Sequence, residues 1–195
     1  LNDILGRLFS NNKELSEEDI AITWINYKSE NKNVFKGVGC GINNKRMIYP
    51  ASIVKLFYGL ATYHWIKKGR LIHNEDLSEA VSKMLYNSSN NATSFLVDLL
   101  TGTTSGPCIE GESWKNWKYQ RRIINDWLND LNWEELYGIN CCQKTWDDCP
   151  FGREKEFYGY ENKNRNAIST DATARVLEEI IIHIDYKEND LNLRN

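Results

Sequence analysis

The stretch from Ser52 to Lys68 constrains the fold more than any other. Ile53, Leu56, Phe57, Leu60, Ala61, His64 and Trp65 recur at three- and four-residue steps, and Gly69 supplies a stop, so the spacing predicts a helix over 52–68. Its early turns are apolar almost all round, which places it inside a core rather than on a surface. The rest of the chain has to pack around it. With 195 residues, 41% of them apolar and 12% aromatic, the sequence can supply that core as a single domain over 1–195.

On the N-terminal side, Leu1, Ile4, Leu5 and Leu8 predict an amphipathic helix over Leu1–Phe9. Ile20–Tyr27 alternates apolar and polar residues and predicts a strand, Lys28–Lys32 a turn, and Val34–Ile42 a second strand in which Gly37, Gly39 and Gly41 leave one side of the pleat open. The pair forms an antiparallel hairpin. On the C-terminal side, helices are expected over Leu77–Tyr86, Ala92–Leu100 and about Trp114–Asn129, with a loop over Thr103–Ser113 and a long irregular segment over Cys141–Asn166. Ser169-Thr170-Asp171 caps a last helix from Ala172 to about Ile184. The fold class is therefore α+β, an antiparallel sheet with a helical domain. A two-stranded hairpin is marginal by itself, so the sheet needs further strands.

Composition narrows the function. Twenty-seven acidic residues against 24 basic ones give a net charge of -3 with no basic cluster, which argues against nucleic acid and membrane surfaces as partners. No apolar run reaches the length of a membrane span. Leu1 does not open a signal-peptide pattern, so any export signal is expected to have been removed already. His64, His73 and His183 are scattered and no glycine-rich phosphate loop follows a strand, so neither a metal nor a cofactor is implied. The cysteines are Cys40, Cys108, Cys141, Cys142 and Cys149. The adjacent Cys141-Cys142 pair could bridge to Cys108 and Cys149, the alternative being buried or free thiols.

The chemistry starts at Pro50-Ala51-Ser52-Ile53-Val54-Lys55. A bare S-x-x-K is common, and Ser10 to Lys13 and Ser29 to Lys32 match it as well. Only Ser52 heads a buried helix, where residues three apart share a face and Lys55 can reach the Ser52 hydroxyl. The positive end of the helix also favours an oxyanion there. A serine hydroxyl needs a base, and a lysine desolvated in a helix bundle can lose its proton readily enough to serve. The same serine is placed to cap the helix.

Downstream, Met84-Leu85-Tyr86-Asn87-Ser88-Ser89-Asn90-Asn91-Ala92 forms a polar turn between two apolar helices. An S-x-x-K helix followed by a Ser-x-Asn turn resembles the serine β-lactamase and penicillin-binding protein superfamily, in which the turn is usually S-D-N. The run Asn164 to Leu177, with Arg165, Ser169, Ala174 and Arg175, resembles the segment that closes the omega loop in its class A members. The resemblance implies a β-lactamase/transpeptidase-like, three-layer fold and acyl transfer through serine. Carried over, Ser52 is the acylated nucleophile and Lys55 its proton partner. Ser88 relays a proton to the leaving nitrogen, and Asn90 binds the substrate amide and orients Lys55. Glu154, in Glu154-Lys155-Glu156, is the nearest match to the glutamate that activates the deacylating water.

The implied substrates are β-lactams or D-Ala-D-Ala-like peptides, and the implied location is extracytoplasmic. Three departures matter: Ser89 replaces the aspartate of S-D-N, the spacing from Ser52 to Ser88 is short, and no K-T-G or K-S-G follows the final helix. Only the two N-terminal strands of the family's sheet are expected here. A complementing chain or self-association is expected to cover the open edge. A penicillin-binding or peptidase activity, or a silent peptidoglycan- or partner-binding role, is the alternative to a β-lactamase.

Overall fold

The computed structural model describes residues 2–31 and 34–184. In chain order the elements are α1 (Asn2–Asn11), β1 (Ile22–Asn31), β2 (Val34–Ile42), α2 (Val54–Lys67), α3 (Glu75–Tyr86), α4 (Asn90–Thr101), α5 (Gly111–Arg121), α6 (Ile123–Asp130), α7 (Gly152–Tyr158) and α8 (Thr170–Glu178). The molecule is thus mixed α+β, with one two-stranded antiparallel sheet among the described residues. Its described residues divide into two compact units, one built from residues 2–46 (without 32 and 33) together with 169–184, the other from Met47–Ile168.

The first unit is a hairpin with helices. β1 pairs with β2 in a register that sets Trp24 opposite Cys40, Ile25 opposite Gly39 and Tyr27 opposite Gly37. Ile25 and Tyr27 lie across the glycine strand: a Cβ on Gly37 would fall 2.9 Å from both Ile25 Cγ2 and Tyr27 Cε1. The open side of the pleat is therefore filled from the neighbouring strand. α8 docks on β1, where Thr23 Oγ1 donates to Asp171 Oδ1 (2.6 Å) and Asn44 Nδ2 donates to Asp171 Oδ2 (2.5 Å). Ser169 caps α8, its Oγ accepting from Ala172 N at 3.1 Å, as its sequence signature requires. Beyond Glu178 the helix continues as a π turn, Glu179–Ile184.

The expected turn over Lys28–Lys32 is corrected by the structure. β1 runs on to Asn31, with Lys28 opposite Lys36 and Ser29 opposite Phe35, while Lys32 lies outside the described residues. The run is polar in composition, but pairing with β2 uses backbone groups and needs no apolar side chains.

The second unit is the helical core. Val54, Phe57, Tyr58 and Ala61 of α2 have no exposed surface, and neither do Met84, Leu96 and Val97 from α3 and α4. Asn74 caps α3 (Leu77 N to Asn74 Oδ1, 2.9 Å) and Ser89 caps α4 (Ala92 N to Ser89 Oγ, 3.2 Å). α4 then ends on Gly102 at φ 66°, a left-handed position that glycine adopts without strain. The single helix expected over Trp114–Asn129 is two helices meeting at Arg122, whose N–H is shared among the carbonyls of Lys118, Tyr119 and Gln120. Within the segment expected to be irregular, Gly152–Tyr158 is helical. A Cβ on Gly152 would lie 2.1 Å from Gly106 O, so only glycine lets α7 start there.

All five cysteines are free thiols, the second of the two alternatives that the sequence left open for the vicinal pair. Cys141 and Cys142 are fully buried, and burial pushes the Cys142 thiol up to about 12. Among the described residues no helix is long and apolar enough to cross a membrane.

Candidate active site

Ser52 does not cap the helix, contrary to the expectation from its position. It lies in a short 3-10 turn, Ala51–Ile53, ahead of α2, and no side chain caps either element. Its hydroxyl is free for other contacts and lies at the surface. Lys55, one turn on, is only 3% exposed. Its Nζ donates to Asn90 Oδ1 at 2.8 Å, to Ser88 O at 2.5 Å, to Ser88 Oγ at 3.0 Å and to Ser52 Oγ at 3.2 Å. Ser88 Oγ in turn donates to Ser52 Oγ at 3.0 Å, closing a triangle of two hydroxyls and one amine.

The contacts around Nζ outnumber what an ammonium can serve well, since it has three N–H donors. Ser52 is the longest of them. Either hydroxyl contact can reverse once Nζ is neutral and has a lone pair, but Ser88 Oγ already donates to Ser52 Oγ, which leaves the Ser52 hydroxyl to donate to Nζ. Burial favours that state, holding Lys55 below lysine's ordinary range, while the carboxylate of Asp147 pulls in the opposite direction.

Two backbone outliers frame the triangle. Ala51, just before Ser52, has φ 46°, and Ser88 has φ 55°. Positive φ in residues with a Cβ is uncommon, and such strain concentrates where geometry serves a site.

The four residues Ser52, Lys55, Ser88 and Asn90 are thus brought into direct contact. Glu154 is placed differently. It is fully buried on α7, where Arg121 grips it with Nη1 to Oε2 (2.9 Å) and Nη2 to Oε1 (2.7 Å), and Ser105 Oγ donates to Oε1 (2.8 Å). Lys144 Nζ stands 3.7 Å from Oε1 and donates to Asp98 Oδ2 and to Ser105 Oγ, both at 2.8 Å. Among the described residues none of Glu154's hydrogen bonds runs to Ser52, Lys55, Ser88 or Asn90. Both carboxylate oxygens are committed to the buried guanidinium, so neither is turned toward a water beside Ser52.

A residue that the sequence reading missed is Asp147. It is exposed, and its Oδ1 accepts from Asn90 Nδ2 at 2.7 Å across 57 residues of chain. No spacing rule links positions that far apart; the adjacent carboxylates Asp147-Asp148, close after a tryptophan, were the only local hint.

Asp147 reaches the site because the segment before it is locked. Residues 141–145 are buried without belonging to a helix or strand, so their backbone groups need side-chain partners. Asn166 Oδ1 accepts from Cys142 N (3.1 Å) and Gln143 N (2.9 Å), and its Nδ2 donates to Gln143 O (2.9 Å). Asn125 Oδ1 accepts from Cys141 N (2.6 Å), and Tyr58 OH donates to Gln143 O (2.6 Å) from α2, the helix that bears Lys55. Asn166→Ala strands two buried amide donors, Cys142 N and Gln143 N, while Gln143 O keeps the Tyr58 hydroxyl. It is expected to destabilise the protein by about 2–4 kcal/mol, read as a lower urea midpoint.

Comparison with known proteins places this site in no established group. No protein-family model, no curated protein and no solved structure matches the chain. Among the described residues, no group of three or more His, Cys, Asp or Glu side chains could hold a metal ion. What the site can do has to be argued from its own atoms. It offers a surface hydroxyl touching a buried amine, a second hydroxyl touching both, and an amide whose two ends are held by Lys55 and Asp147.

Proposed function

We propose that the protein is a serine hydrolase that acts on β-lactams through an acyl-serine intermediate on Ser52. The observation that carries this reading is the closed triangle of Ser52 Oγ, Lys55 Nζ and Ser88 Oγ, with sides of 3.2, 3.0 and 3.0 Å. In its neutral form Lys55 takes the Ser52 proton as Oγ attacks the lactam carbonyl. The Oγ–C bond forms while the C–N bond breaks, and the proton on Nζ passes through the Ser88 hydroxyl to the departing nitrogen. Asn90 is placed to meet a substrate amide through its Nδ2 group, which Asp147 holds in the resting protein. The positive end of α2 favours the oxyanion that develops above Ser52.

Deacylation needs an activated water. The partners of Glu154 argue against that residue, because both of its carboxylate oxygens are engaged by Arg121. Slow release of the acyl group, as in a penicillin-binding or D,D-peptidase-like enzyme, therefore belongs to the same proposal. A second reading, a silent peptidoglycan- or partner-binding homologue, is favoured by one feature: Lys55 Nζ donates to Ser52 Oγ, an arrangement in which the amine does not accept the serine proton.

Incubation with a fluorescent penicillin separates these readings. An adduct located on Ser52 by peptide mass spectrometry is expected, and it should be absent from Ser52→Ala. Adduct that turns over marks a β-lactamase, and adduct that persists marks a penicillin-binding enzyme. A Ser52 that stays unmodified by penicillins and by activated D-Ala-D-Ala esters would overturn the acyl-serine reading and leave the binding role.

A further inference from the structure

We propose that Asp147 is a positioning residue of this site: its carboxylate fixes the Asn90 amide with Oδ1 toward Lys55 and sets a negative charge one amide away from Nζ. The role rests on the acyl-serine reading for its catalytic meaning, but the coupling itself is a property of the resting protein. The geometry is a chain of charge, dipole and charge. Lys55 Nζ donates to Asn90 Oδ1 at 2.8 Å and Asn90 Nδ2 donates to Asp147 Oδ1 at 2.7 Å. If the amide flipped, its NH2 would face an ammonium and its oxygen a carboxylate, losing both hydrogen bonds at once. Asn90 is held between Lys55 and Asp147 like a compass needle between two poles.

The groups that face Nζ are few. Ser52 from the turn before α2, Ser88 from the turn before α4 and Asn90 from α4 itself are all neutral. The charge acting on Lys55 comes from Asp147, on the segment that Asn166 and Tyr58 pin in place. Burial and Asp147 therefore push Lys55 in opposite directions, and the site's readiness at a given pH is set by their balance.

The sign follows from the chemistry. Removing the carboxylate removes the interaction that favours the ammonium, so Lys55 loses its proton at lower pH and the base form becomes available earlier. Asp147 is exposed, so Asp147→Asn is compatible with the fold. Side-chain NMR of lysine Nζ in the ligand-free protein, with Lys55→Arg to assign the signal, reads the titration of Lys55 directly. Asp147→Asn is expected to move its midpoint down and Asp147→Glu to leave it near the parent. On the acid limb of the pH profile for penicillin acylation, Asp147→Asn is expected to react about threefold faster, the size of one screened charge contact across an amide. A midpoint that does not move in Asp147→Asn overturns the proposal, whether or not penicillin reacts. A midpoint that moves in a protein that forms no adduct keeps the coupling and overturns the acyl-serine reading alone.

Discussion

Lys55→Met is expected to slow acylation of Ser52 by roughly 10²–10⁴-fold, the usual contribution of a positioned base, without unfolding the protein. Methionine matches the length of the stem and fills the same buried volume between α2 and α4, so the change removes the amine and little else. Ser52 keeps its contact with Ser88, but neither hydroxyl then has a group able to take a proton. Stability should change in a pH-dependent way. Lys55 is held below its ordinary value of 10.5 by burial, so the unfolded chain binds this proton more tightly than the native one. Parent stability therefore rises as pH climbs from the folded value of Lys55 toward the ordinary one, and below the folded value the full penalty of the buried charge is present. Lys55→Met has no such slope. In paired urea titrations its stability relative to the parent should fall as pH rises through that window. Acylation at the parent rate in Lys55→Met would remove Lys55 as the base.

The parts of this site that were legible in the sequence are the local ones. Ser52 and Lys55 lie one helical turn apart, and an apolar helix around them forces the lysine inside. Ser88 and Asn90 flank Ser89, whose capping of α4 is itself a sequence signature, so the turn that caps the helix also delivers two polar groups to one place. What could not be read is the pairing of distant side chains. Asn90 with Asp147 spans 57 residues and Arg121 with Glu154 spans 33, and neither pair leaves a periodic trace. The cap signature at Ser52 is not realised for a related reason. A serine before an apolar helical run has a cap's signature, but here the 3-10 turn supplies the start and the hydroxyl goes to Ser88 and Lys55 instead. The sheet shows the same limit: the alternation over Ile20–Tyr27 marks the strand, while its polar continuation to Asn31 has a turn's composition and is fixed only by pairing with β2.

Glu154→Ala is expected to destabilise the protein by about 3–5 kcal/mol, because it removes one partner of a buried ion pair and leaves the other. Arg121 has no exposed surface, and its guanidinium is held by Glu154 at 2.7 and 2.9 Å, by Thr103 Oγ1 at 2.7 Å and more loosely by Asp98 at 3.4 Å. Without Glu154 the two buried cations, Arg121 and Lys144, share Asp98 alone. Asp98 is a poor substitute: burial raises its carboxyl above the usual range, and Lys144 already holds it at 2.8 Å. Glu154→Gln should cost less, since an amide oxygen can still accept from Arg121. The double change Arg121→Met with Glu154→Leu should recover much of the loss, because it removes both charges and leaves the Lys144–Asp98 pair intact. The same variants separate the two roles open to Glu154. An anchoring residue gives a lower urea midpoint in Glu154→Ala with unchanged lifetime of the Ser52 adduct in the protein that remains folded. A parent-like midpoint with a greatly lengthened adduct lifetime would instead make Glu154 the group that activates the water, and its grip on Arg121 would then have to open during turnover.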